Sequence, residues 1–149
     1  MKIYAWLTIS LFSLATTCRK DTQCTNTGAS VHITGFDSTE LRRITTYKYL
    51  QHGNFAMVLD SEKIDIRYGF QRSDTISHFG NLAPGFDYEI KTTPAVKTWR
   101  ISNLSFYQTI REDDGVAGFQ CGLATYKLND SLFSYPEADN GQNRIFLNR

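Results

Sequence analysis

Apolar positions recur with period two along most of this chain, and no stretch after residue 18 repeats with the helical period. The cleanest alternation is Ile64-Asp65-Ile66-Arg67-Tyr68-Gly69-Phe70-Gln71. Ile64, Ile66, Tyr68 and Phe70 fall on one side there, with polar or small residues between them, which predicts a central strand with one buried face. Residues 30–36 and 43–50 predict earlier strands. The second carries Thr45, Tyr47 and Tyr49 on one face and Ile44, Thr46, Lys48 and Leu50 on the other, a mixture that places it near a sheet edge. Between them Asp37 and Glu40 have capping-box spacing, but the β-formers from Arg43 onward limit the turn they start to one.

Residues 55–59 form an apolar run that reads as a buried strand after a turn at His52-Gly53-Asn54. Further strands are predicted at 75–79, 88–92, 96–102, 105–111, 118–128 and 144–147, with a short strand or loop at 131–135. Pro84-Gly85 marks a strong turn, Asp114-Gly115 a type I′ hairpin, and Pro94 a strand end or edge. Around Gly122 the apolar face switches from Phe119, Cys121 and Leu123 to Ala124, Tyr126 and Leu128, which predicts a bulge. Roughly eight short strands separated by turn signals argue an all-β fold, an antiparallel two-sheet sandwich of immunoglobulin-like or transthyretin-like architecture. A small closed barrel is the alternative.

The first residues follow a different rule. Lys2 precedes an apolar run over 3–15, and small residues lead to Cys18. That is the layout of a secretory signal peptide, and the run is shorter than the roughly 20 residues a spanning helix needs. A buried N-terminal helix is the competing reading, opposed by the lack of helical periodicity after it. Cleavage before Cys18 would leave a thiol for lipid; cleavage after Ala15, with Ser13 and Ala15 as the small residues, would leave a secreted protein. Leu14-Ala15-Thr16-Thr17-Cys18 resembles a lipobox, departing from it at Thr17, and Cys18-Arg19-Lys20-Asp21 resembles the opening of small Bacteroidota lipoproteins of uncharacterised function. The resemblance implies a lipid-anchored, palmitate-bearing envelope protein, facing outward or inward from the outer membrane. The expected organisation is a signal peptide over 1–17, a polar tether over 18–29 and one β-sandwich domain over 30–149.

Charge is balanced, 16 Lys and Arg against 15 Asp and Glu, so no field for nucleic acid is expected. With Cys18 assigned to lipid, Cys24 and Cys121 remain, and an oxidising compartment favours a disulfide between them over two free thiols.

Chemistry is sparse. His32, His52 and His78 are far apart and lack metal-ligand spacing, so strand and turn roles outweigh a zinc site. No nucleophile motif occurs, and no cofactor is expected. Glu112, Asp113 and Asp114, with Glu137 and Asp139, are the carboxylates a secreted hydrolase would use, or a calcium ion, although acidic hairpin tips usually serve turn geometry and solubility. Aromatic residues are in surplus. Tyr47, Tyr49, Tyr107 and Tyr135 are the candidates for an exposed strip that stacks on a glycan or protein partner; core and strand-pair packing is the plainer role for most aromatics here. The expected function is therefore a lipid-anchored, non-enzymatic binding or structural module, with the hydrolase as the rival. Two carboxylates facing across a groove would favour the enzyme, and an aromatic strip or open edge strand would favour binding.

Overall fold

A computed structural model describes residues 24, 26–66, 69–71, 74–113, 116–135 and 143–149. The expected signal segment, Cys18 and most of the expected tether lie outside these residues. The elements are all strands: β1 (Ala29–Thr34), β2 (Leu41–Leu50), β3 (Val58–Asp65), β4 (Ile76–Leu82), β5 (Phe86–Pro94), β6 (Thr98–Asp113), β7 (Val116–Leu128), β8 (Ser131–Ser134) and β9 (Arg144–Asn148). They form two sheets, one of three strands in the order β4-β1-β9 and one of six in the order β3-β2-β5-β6-β7-β8. The result is the expected all-β, sandwich-like fold of two sheets. Every pairing is antiparallel except β1 with β9.

The core lies between the sheets. Ala29, Val31 and Ile33 alternate along β1, and Ile145 and Leu147 along β9. They meet Ile44, Tyr88, Ile90, Trp99, Ile101, Leu123 and Tyr126 from the larger sheet. Ile90 pairs with Trp99 and Tyr88 with Ile101, so one face of β5 and β6 is continuous apolar surface. Phe36, just past β1, packs edge-on against Trp99 with ring centres 6.1 Å apart.

Local signals act as read. Asp37 Oδ1 accepts the N–H groups of Thr39 and Glu40, and Glu40 Oε2 accepts that of Asp37, closing one turn before β2. Pro94 ends β5. The predicted bulge falls at Ala124, where the register with β6 slips between Thr125 and Leu123, so that Leu123 and Tyr126 both stay in the core.

Other expectations are corrected. The alternation at 64–71 is not a central strand: β3 ends at Asp65 and is the edge of its sheet. Ile64, Ile66 and Phe70 are half-buried and pack against the core from its rim, while Arg67 and Tyr68 lie outside the described residues. The run at 55–59 is not buried; Met57, Val58 and Leu59 are 61%, 48% and 42% exposed. β2 does lie near the edge, one strand in, between the edge strand β3 and β5. Strands expected separately at 96–102 and 105–111 are one, β6, with an irregularity at Asn103, whose φ is 54°. β1 opens at Ala29, inside the expected tether, and Cys24 is already bonded to Cys121 with 5.9 Å between their Cα atoms.

Candidate functional site

On β2 the register places Tyr47 opposite Glu89 and Tyr49 opposite Asp87, all on the face turned away from the core. No second layer covers this face among the described strands, yet Asp87, Glu89 and Tyr49 are buried. The cause is a local cover built by the β2–β3 loop and a charge cluster. His52, Asn54 and Phe55 all adopt left-handed backbone, φ 64°, 50° and 56°. Asn tolerates that region; a bulky Phe rarely does. The loop folds the Phe55 ring edge-on against Tyr49 at 5.2 Å, and the Arg100 guanidinium sits 5.2 Å from the Phe55 ring centre.

Glu89 is the centre of the cluster. Its side chain is 7% exposed, and it accepts from Lys91 Nζ at 2.7 Å and Arg100 Nε at 3.0 Å. Lys91 also lies 5.1 Å from the centre of the Tyr47 ring. Burial acts to raise the Glu89 pKa, but the hydrogen bonds and charges of Lys91 and Arg100 outweigh it and hold the carboxyl below its ordinary range. Lys91 is held up in turn, chiefly by its bond to Glu89. The Tyr49 hydroxyl is pushed up by burial and then by the nearby Glu89 charge. Beside the cluster is a shallow depression of about 480 Å³ edged by Glu89, Lys91, Thr98, Arg100, Asn129 and Asp130. Asn129 fixes its rim: Oδ1 accepts the Arg100 N–H at 2.8 Å, and the Asn129 N–H donates to the Arg100 carbonyl at 2.8 Å.

Chemically this arrangement is quiet. A carboxylate held below its ordinary range by two cations is a weak base and carries no proton to give as an acid.

The four predicted tyrosines do not make one strip. Tyr47 and Tyr49 share the cluster just described, with Tyr49 buried in it. Tyr107 lies over Gly122 on the neighbouring strand. Tyr135 stacks on Tyr126 at 6.1 Å and donates to the Arg144 carbonyl at 2.7 Å, which ties β8 to β9. Of the predicted carboxylates, Asp114, Glu137 and Asp139 lie outside the described residues; Glu112 and Asp113 end β6.

A second surface is the free side of β3. Seven of its eight residues are exposed, with Ile64 the exception. Leu50, half exposed, and Met57, Val58 and Leu59 gather at one end. Behind it, Lys48, Asp60 and Glu62 face Gly80 and Asn81 of β4 across a cleft of about 160 Å³ at the mouth of the sandwich. Sequence reasoning named Tyr47 and Tyr49 on the first surface but missed the charge cluster beside them and the β3 edge. The Glu89–Lys91 spacing was visible along one strand, but Arg100 and Phe55 reach it only through strand order and a left-handed loop.

No protein-family model, curated protein or solved structure matches this chain.

Proposed function

We propose that this chain is a lipid-anchored envelope module, held at the outer membrane through Cys18, that engages a protein partner along the free edge of β3 and performs no chemistry itself. The observation that carries the reading is the edge itself. An exposed strand of eight residues leaves a row of backbone N–H and C=O groups without partners in the sheet, the feature that strand addition uses. Exposed Met57, Val58 and Leu59 supply apolar contact at one end. A glycan partner is less well served: the outer face buries Tyr49, and the polar groups of Glu89 are taken by Lys91 and Arg100.

The anchor and the bridge together would set the display. Six peptide steps separate Cys18 from Cys24 (24 − 18), and Cys24 is fixed to β7. At about 3.5 Å per step the leash reaches roughly 20 Å, so the domain would stay close to the bilayer.

The test is site-specific photocrosslinking in the native cell. A photoreactive residue at Ser61 should give one adduct of defined mass with an envelope protein, whereas one at Val96, exposed elsewhere, should not. Cys18→Ser should move the protein to the soluble fraction. Equal labelling from both positions would sink the edge reading, and unchanged fractionation would sink the anchor.

A further inference from the structure

The charges along β3 say what kind of strand its edge can accept. Register with β2 puts Asp60, Glu62 and Ile64 on the inner face, opposite Lys48, Thr46 and Ile44. Ser61, Lys63 and Asp65 are on the outer face, opposite Tyr47, Thr45 and Arg43. Asp65 is occupied by Arg43 at 2.6 Å. Among the described residues Glu62 has no ion pair, and Asp60 accepts only the adjacent Ser61 N–H at 2.8 Å.

A second copy of this chain is the first partner to consider. Two antiparallel edges joined across a two-fold axis normal to the sheet keep each residue on its own face, so the pairing centres on one residue facing itself. Registers that overlap more than half of the eight residues centre on Asp60, Ser61, Glu62 or Lys63. They set Asp60 against Asp60, Asp60 against Glu62, Glu62 against Glu62, and Lys63 against Lys63. Each opposes like charges, which destabilises a cross-strand pair. The edge is built against itself.

The same charges favour a different strand. Resting on the strand-addition reading above, we propose that β3 accepts an extended segment carrying Lys or Arg at alternate positions, placed on the inner face opposite Asp60 and Glu62. Opposite-charge cross-strand pairs there add to the main-chain hydrogen bonds, and the carboxylates at the mouth of the cleft steer a cationic segment to the edge.

The test titrates the protein with three eight-residue peptides, alternating Lys–Val, Gln–Val and Glu–Val, while following hydrogen exchange of the β3 amides. Lys–Val should bind about five-fold tighter than Gln–Val and protect residues 58–65, and Glu–Val should bind weakest. Asp60→Lys/Glu62→Lys should invert that order; Asp60→Asn/Glu62→Gln should flatten it without adding charge. Equal protection by Lys–Val and Gln–Val would leave strand addition standing and overturn the basic partner. Protection by none of the peptides would overturn both. Self-association on concentration, with β3 amides protected, would overturn the exclusion of a second copy.

Discussion

The side-chain amide of Asn143 stands beside β7 in place of a neighbouring strand: Oδ1 accepts the Leu123 N–H at 2.6 Å, and Nδ2 donates to the Cys121 carbonyl at 3.1 Å. Among the described residues, backbone bonding from the β8 side reaches β7 only as far as Ala124, and no backbone partner stands beside these two groups there. The Asn143 carbonyl meanwhile accepts the Ser30 N–H at 2.7 Å and its hydroxyl at 3.1 Å. One residue thus fastens the small sheet to the open flank of the large one. Asn143→Ala should cost about 2 kcal/mol in urea unfolding, because a polar group beside the buried Leu123 loses its partner. Asn143→Asp should recover only part, since it keeps the acceptor and loses the donor. A cost below about 0.5 kcal/mol for Asn143→Ala would mean water replaces the amide without loss.

The Cys24–Cys121 bridge closes a separation of 97 residues. Chain-entropy reasoning gives about 4.5 kcal/mol for a loop of that size, with measured values often lower. Cys24→Ser, Cys121→Ser and the double variant should therefore lose similar stability, about 2–4 kcal/mol each, because each removes the same cross-link. Additive losses in the double variant would show that the cysteines act separately.

Gly122 leaves space for a ring. A Cβ placed there would stand 2.5 Å from the Tyr107 ring. Gly122→Ala should cost on the order of 1–3 kcal/mol unless the half-exposed ring swings away. Adding Tyr107→Ala should restore much of that loss. If the two costs simply add, the contact does not matter to stability.

Glu89 gives the fold an acid limb. Its pKa is lower folded than unfolded, so its contribution is complete above the unfolded value near 4.5 and is lost as pH falls through the folded value. Glu89→Gln should cost about 1 kcal/mol at pH 7, a modest figure because Lys91 and Arg100 are 43% and 58% exposed and rehydrate. The variant should also show a flatter decline in stability below pH 4.5. A parallel decline in both proteins would assign the acid limb to other carboxylates.

Local rules were legible from the chain because they depend on neighbours a few residues apart. Period-two alternation through Tyr88-Glu89-Ile90-Lys91-Thr92 and through Trp99 and Ile101 placed real strands, while the hairpin signal Asp114-Gly115 lies outside the described residues, between Asp113 and Val116, which pair. The two-sheet class and the partnership of Cys24 with Cys121 followed from turn spacing and cysteine count. Alternation reports which face of a strand is apolar, however, and not which strand lies beside it. Ile64, Ile66 and Phe70 thus read as the centre of the fold yet sit at its rim, and Met57 to Leu59 read as core yet are exposed. Glu89 and Arg100, 11 residues apart, meet because β5 and β6 pair, and Phe55 reaches them because the loop after β2 turns left-handed. Strand order and the free edge of β3 were decided only in three dimensions, where burial of one shared core selects among pairings that the local pattern leaves equivalent.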